Sequence, residues 1–305
     1  MPTAIRPFHR SDREQVTDLV NAHVSAVVPG AAVSVNTLMS QLEREPGEYV
    51  VDPWVRERCT LVAVQRGRVV GAAHLLRYTD DESASESYRG SAEIRWLVHA
   101  VRAPLLPDAE EAAHTLITAC LARLAGWRPT TVHADGALPA PGVYGIPEQW
   151  THVRALLVGA GFAPTQPSEQ VLLARVEVLR SSVPAGGDWS VRRSVGVNGT
   201  RFAAVEAGVE LGYVKVDTVL GAPGRTPSDG WADVGNLWVD ESRRRRGVGR
   251  WLVGQAADWL ALGGVRRVLS YVADGEDAEL AFHQALGFTV LTRTERGWTL
   301  PRPTA

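Results

Sequence analysis

Lysine, cysteine and a basic excess are what this sequence has least of. Of its 32 basic residues all but Lys215 are arginine, and 34 acidic residues outweigh them for a net charge of −2. A dedicated nucleic-acid binder carries a basic excess, so the balance speaks against one. The two cysteines, Cys59 and Cys120, form no metal or redox spacing and are expected to be buried free thiols in a reducing compartment. No segment approaches the roughly 18 uninterrupted apolar residues that a membrane span requires. The opening stretch, MPTAIRPFHRSDRE, has charges where a secretory signal needs an apolar core. These absences predict a soluble, cytoplasmic protein with neither a nucleic-acid nor a membrane partner. What is present, 45% hydrophobic and 22% charged residues over 305 positions, suffices for about two domains with cores of their own.

The chain echoes itself. TLVAVQRGRVVGAAHLL from Thr60 and TRFAAVEAGVELGYVKV from Thr200 both alternate, break at a glycine-containing turn and resume, which predicts a β-hairpin in each half. Strand-like SAEIRWLVH from Ser91 matches WADVGNLWV from Trp231, and helical periods follow over Glu110 to Leu124 and Arg250 to Leu262. VHADG then echoes YVADG, and each half closes on Gly-Phe, at Phe162 and Phe288. Duplication accounts for the constant order. The expected division is residues 1–180, a Pro/Gly/Ser linker SSVPAGGDWS over 181–190, and residues 191–305. The first half alone carries N-terminal helical segments, with Ser11 as a candidate cap, and a Pro/Gly-rich insertion GALPAPGVYGIP.

The halves differ most sharply after the strand. The second reads SRRRRGVG where the first reads RAPLLPDA. Arg244 to Gly249 form a strand-to-helix turn. Such a turn aims unpaired N–H groups and the positive end of a helix dipole at one spot, which suits an anion. Gly247 and Gly249 would let a pyrophosphate approach the backbone, and arginines add bidentate donors. Among 29 glycines the string alone is weak evidence and fits a solvated basic turn better than a phosphate loop.

Strand ADVGNLWVDES, loop RRRRGVG, an amphipathic helix, strand RRVLSYVADG and helix AELAFHQALGF together resemble the GNAT superfamily of acetyl-CoA-dependent N-acyltransferases. Arg244, Gly247 and Gly249 meet that family's Q/R-x-x-G-x-G/A cofactor motif, and Gly287 with Phe288 its closing helix end. The resemblance covers Asp188 onward by motif and residues 1–180 by strand order and the second Gly-Phe, without the cofactor motif. It implies an α/β fold of two tandem domains, each a mixed, mostly antiparallel sheet flanked by helices, the first degenerate. It further implies that acetyl-CoA is held by the backbone of Leu237, Trp238 and Val239 and by Arg244, Arg245, Arg246, Gly247, Val248, Gly249 and Arg250, with no metal. Val239 N–H would polarise the thioester carbonyl.

An ammonium substrate must lose a proton before it attacks a thioester. In many members a carboxylate on the strand before the loop takes it. Asp233 holds that position, fourteen residues before Gly247, and simple alternation would put Asp233, Gly235, Leu237 and Val239 on one face. A structural aspartate is the other reading, and Glu93 is its echo in the first half. The tyrosine that often protonates the departing thiolate is replaced by His283, either an acid or a hydrogen-bonded core histidine. Tyr271 or solvent could supply the proton instead. Glu276 or Asp277 stands where an asparagine is usual. The acceptor is a small-molecule or peptide amine, its pocket walled by residues 38–54, the GVYGIP insertion or the acidic run from Thr79. Two alternatives stay open: a non-catalytic acyl-CoA-binding sensor, and a nucleic-acid binder using the arginine run.

Overall fold

The computed structural model describes residues 3–43, 54–82, 84–101, 108–180, 187–196, 199–218 and 230–301. In chain order the elements are β1 (Ala4–Pro7), α1 (Arg13–Val27), α2 (Val35–Leu42), β2 (Val55–Gln65), β3 (Arg68–Tyr78), β4 (Ala92–His99), α3 (Ala109–Gly126), β5 (Val132–Ala134), β6 (Ile146–Pro147), α4 (Thr151–Gly159) and β7 (Ala163–Pro164). They continue with β8 (Glu169–Arg175), α5 (Val176–Leu179), β9 (Ser190–Gly196), β10 (Gly199–Glu206), β11 (Val209–Asp217), β12 (Trp231–Val239), α6 (Val248–Leu262), β13 (Arg267–Ala273), α7 (Asp277–Leu286), β14 (Thr289–Glu295) and β15 (Trp298–Leu300). The fold is mixed α/β, with two mixed sheets flanked by helices.

Contacts divide the chain into one unit of residues 1–168 and 292–305 and another of residues 169–291. Relative to a cut at 181–190, of which residues 181–186 lie outside the described ones, two strands have traded places. β8 pairs antiparallel with β13 in the second unit, Leu173 opposite Leu269. β15, from the end of the chain, lies between β5 and β7 in the first.

Both hairpins turn as their sequences require. Arg66 and Gly67 have φ of 50° and 75°, and Ala207 and Gly208 have 50° and 82°. Two successive positive φ values match the right-handed twist of a two-residue hairpin, and glycine takes the second without a Cβ penalty. In the second unit α6 buries Val248, Leu252, Val253, Ala256 and Leu260 against Phe202, Val214, Val216 and Val234. Each buried valine, leucine or phenylalanine among them contributes about 1.5–3 kcal/mol by leaving water. In the first unit α3 does the same with Leu116, Ile117, Cys120 and Leu124, so Cys120 is the buried free thiol expected, while Cys59 is only half-buried.

Three histidines meet in the first unit. His23 of α1 donates Nδ1–H to Leu19 O, and its Nε2 lies 2.9 Å from His152 Nε2 of α4. The His99 ring packs edge-on against His152 at 4.7 Å. Burial pushes His23 and His152 down to about 4 and lowers His99 as well. A depressed histidine keeps its stabilising neutral form above the unfolded value near 6.5 and loses that stability as pH falls toward 4. Melting followed by circular dichroism should therefore drop by about 5–10 °C between pH 7 and pH 5. His152→Gln should flatten that slope.

Candidate active site

The second unit's site is built where two parallel strands part. β12 pairs with β13 at Trp231, Ala232 and Asp233 only, opposite Arg267, Val268 and Leu269. Beyond Asp233 the ladder of β12 is with β11 alone among the described residues. Asp240 N–H donates to Leu211 O on the β11 side. Strand alternation therefore turns the backbone groups of Val239 and Leu237 the other way, into the gap.

A β-bulge changes which side chains share a face. Val216 pairs with Val234 and Lys215 with Asn236, leaving Gly235 unpaired. The extra residue shifts the alternation by one. Asp233 thus lies on the face of Asp217, Lys215, Asn236 and Trp238, whereas Val234, Leu237 and Val239 face α6. Simple alternation, which grouped Asp233 with Leu237 and Val239, fails at this bulge. Trp238 is exposed and packs on Tyr213, and its backbone groups turn toward β11.

At the end of β12 the chain enters the arginine loop. Arg243 is ion-paired to Glu206 at 2.9 Å, and Arg244 Nε donates to Val239 O at 3.2 Å, tying loop to strand. Arg245 adopts φ 61°. Arg245 and Arg246 are exposed and make no ion pair among the described residues. Gly247, the N-cap of α6, has φ 87° with open space where a Cβ would stand. Gly249 differs: an added Cβ would meet Phe282 Cζ at 3.1 Å, so this glycine lets α6 and α7 approach each other. Val248 is buried in the core, and Arg250 Nη2 donates to Ala285 O at 2.8 Å. The first N–H groups of α6 converge at an exposed turn beside two unpaired guanidinia, the arrangement that attracts phosphate.

Asp233 sits at the last paired position before the gap. Burial first, and the Asp217 carboxylate second, push its carboxyl up to about 6 against hydrogen bonds from the Asp217 N–H and the Tyr271 hydroxyl that lower it. A carboxylate poised there can hold a proton reversibly near neutrality. Tyr271 and Asp217 were not legible as its partners, because that requires the strand register.

His283 is 2% exposed. Its Nδ1–H donates to Glu279 O at 2.9 Å, and Nε2 accepts from Ser270 Oγ at 2.9 Å. Phe282 and Phe288 pack edge-on against it. Both ring nitrogens are committed, and neither the gap nor Asp233 meets them. Glu276 occupies the N-cap of α7 without a side-chain cap bond. A cavity of about 980 Å³ in this unit lies at the other end of β12, around Trp231, Trp259 and Gly264, and its lining contains none of these residues.

The first unit repeats the frame with different contents. β4 also pairs with its parallel partner at three positions, ending at Ile94 opposite Ala134. It also bulges, at Arg95 instead of glycine. The buried Glu93 carboxylate, counterpart of Asp233, is bonded by Tyr78 Oη–H and paired with Arg95 at 3.2 Å. Past the bulge the Pro/Gly-rich insertion enters the gap, and Ala137 N–H donates to Arg95 O at 2.8 Å. That insertion, an acceptor wall by sequence, occupies its own unit's opening. Residues 102–107, which replace the glycine loop, and residues 44–53 of another candidate wall lie outside the described residues. Asp80, Asp81 and Glu82 of the acidic run include exposed positions at the surface.

Residues 182–288 match the family model described as the acetyltransferase (GNAT) family. No curated protein matches the chain. Among solved structures, the chain is similar to a tandem GNAT protein from the clavulanic acid biosynthesis pathway, at 17% identity over 98% of each chain and TM-score 0.61. It is also similar to a GCN5-related N-acetyltransferase from Sphaerobacter thermophilus, at 14% identity over 97% of this chain and 94% of that one, TM-score 0.59. A third likeness is to a glucosamine N-acetyltransferase region of a fungal multi-domain β-N-acetylglucosaminidase, at 13% identity over 97% of this chain and 38% of that one, TM-score 0.61. At such identities the likeness is one of fold, and the fold is that of tandem GNAT proteins.

Proposed function

We propose that the chain, whose residues 182–288 belong to the acetyltransferase (GNAT) family, transfers an acetyl group from acetyl-CoA to a primary amine. One cofactor is held, in the second unit. The observation that carries the reading is Asp233: a carboxyl pushed up to about 6 at the residue where β12 and β13 part. Acetyl-CoA would supply the activated thioester. The α6 N-terminus with Arg244 to Gly249 would hold its pyrophosphate, and Leu237 to Val239 would bond its pantetheine arm as an added strand would. Val239 N–H, turned into the gap, would donate to the thioester oxygen.

The amine is received on the opposite face, where Asp217 and Asp233 draw an ammonium by charge. Asp233 accepts its proton, directly or through water, and leaves a neutral nucleophile. His283 is assigned to packing, so the departing sulfur takes its proton from solvent or from Tyr271. His283→Phe is accordingly expected to keep kcat within about twofold while lowering Tm by a few degrees, since a buried Ser270 hydroxyl loses its partner. A tenfold fall in kcat at unchanged Tm would return the histidine to the chemistry.

The reading itself is tested by thiol release from acetyl-CoA over a panel of primary amines. Steady turnover with one or more of them is expected. A second reading, a non-catalytic acyl-CoA sensor, is favoured by the locked His283 and the uncapped Glu276. Tight acetyl-CoA binding with no turnover across the panel would support it instead.

A further inference from the structure

We propose that the acceptor is an anionic amine, a primary amine carrying a carboxylate or phosphate several bonds from its nitrogen, and that Lys215 selects it. The inference rests on the reading of Asp233 as the group that receives the amine. It starts from a single residue. Of 32 basic residues Lys215 is the one lysine, and it lies on the same sheet face as Asp233.

Strand register arranges that face in rows. Asp217 stands opposite Asp233 in the first. In the next, Arg201 of β10, Lys215 of β11 and Asn236 of β12 follow one another across three strands. In the third, Tyr213 stands opposite Trp238. Side chains on one face recur at every second residue, so the second row lies about 7 Å along β11 from the first, at roughly 3.3 Å per residue. Lys215, Asn236 and Trp238 are exposed, and Asp217 and Asp233 half-buried.

The middle row holds a repulsion. Like charges directly opposite each other on paired strands destabilise a sheet, and Arg201 faces Lys215 in this way. Arg201 is ion-paired to Glu210, but Glu210 also pairs with Arg192 at 3.1 Å. Two guanidinia against one carboxylate leave an excess of one positive charge. Lys215 adds to it, because it makes no ion pair among the described residues. Its Nζ lies over the Tyr213 ring at 5.6 Å, on the side away from Asp217.

An anion taken by Lys215 offsets this excess, and the Asn236 amide can donate to it. An ammonium in the acidic row and an anion at Lys215 are then satisfied by one molecule whose charges stand about 7 Å apart. α-Amino acids, whose charged groups share one carbon, are too short. The choice of lysine follows from the same rows. An arginine at this position would present a planar fork that takes a carboxylate bidentately, and Asp217 is the next side chain on its face. A compact ammonium leaves the acidic row to the substrate.

The test follows binding and turnover on the full chain. The anionic probes are γ-aminobutyrate, δ-aminovalerate, ε-aminocaproate and aminopropyl phosphate. Alkylamines of matching length and aminopropanol are their uncharged-tail counterparts, and glycine is the short control. Calorimetry against the CoA-loaded chain is expected to show at least one anionic probe binding about tenfold tighter than its counterpart, and tighter than glycine. The better of the carboxylate and phosphate arms identifies the anion. Lys215→Met should cut that ratio below about threefold without lowering Tm, since it also removes the repulsion from Arg201. Lys215→Glu should turn the preference toward putrescine, an outcome that unfolding cannot mimic. In Asp233→Asn thiol release should be lost while the ratio in binding persists. A Lys215-dependent ratio in a chain that releases no thiol would overturn acetyl transfer and keep this inference. Thiol release with a ratio near one would do the reverse. A ratio that Lys215→Met leaves unchanged, or no binding of any anionic probe, would likewise overturn the proposal.

Discussion

Calorimetry of acetyl-CoA against the intact chain is expected to give a stoichiometry near one, and Gly247→Glu is expected to abolish it. The duplicated frame would naively give two sites. Pyrophosphate, however, needs clustered N–H donors and close backbone approach. The second unit offers both at the start of α6, where Gly247 holds φ 87° above open space. Glutamate there must adopt a left-handed backbone, which costs about 1–2 kcal/mol for a residue with a Cβ, and sets a like charge against the ligand. Gly247→Ala carries the backbone cost alone and should weaken binding about 5- to 30-fold. In the first unit the corresponding opening is crossed by the Ala137–Arg95 hydrogen bond. Its loop sequence, RAPLLPDA, has two prolines without N–H groups and an aspartate. Two equivalents in the native chain, or one persisting in Gly247→Glu, would mean that the first unit holds cofactor after all.

The second large effect is at Asp233. Asp233→Asn should lower kcat/KM by about 10²–10⁴ at pH 7, the range for loss of a general base, with acetyl-CoA affinity barely changed. In the native chain kcat/KM should rise with pH through about 6, where the carboxyl ionises, and the variant should lack that limb. The same ionisation opposes folding. A carboxyl raised in the folded state gives stability that is present below its unfolded value near 3.9 and is lost as pH climbs past about 6. Asparagine removes that loss, so the variant should melt higher than the native chain at pH 7.5 and no higher at pH 4. An inactive variant with lower Tm at both pH values would mark Asp233 as structural, and near-native rates at pH 7 would remove it from the mechanism.

Much of this was legible in the sequence, and the remainder has identifiable physical causes. Both hairpins, the strand–loop–helix around Arg244 to Gly249 and the helix ending at Gly287 follow from period, capping glycines and turn chemistry, which are local. The Gly235 bulge was not legible. A bulge is defined by its partner strand, and one extra residue there reverses which side chains accompany Asp233. Gly249 was read as clearance for phosphate, whereas its clearance is for Phe282, a contact made only once α6 and α7 pack. For His283 the sequence left acid and core residue open. Ser270 and the Glu279 carbonyl now engage its ring nitrogens, and of these Ser270 lies on another element. Strand exchange was hidden for a different reason: β8 and β15 look the same whichever sheet receives them.

That exchange orders events during synthesis. Translation delivers β1 to β7 first, yet the strand that bridges β5 and β7 is Trp298–Leu300, which follows every element of the second half. Trp298 is completely buried at its destination. A nascent first half therefore waits on the ribosome with an open seam in its sheet, and it closes only when the second half has emerged as well. β8, made early, waits in turn for β13. The first half cannot finish as an N-terminal domain ordinarily does, before its C-terminal neighbour has been made. Each half of the repeat has become a strand donor to the other, so deleting one would leave the survivor incomplete.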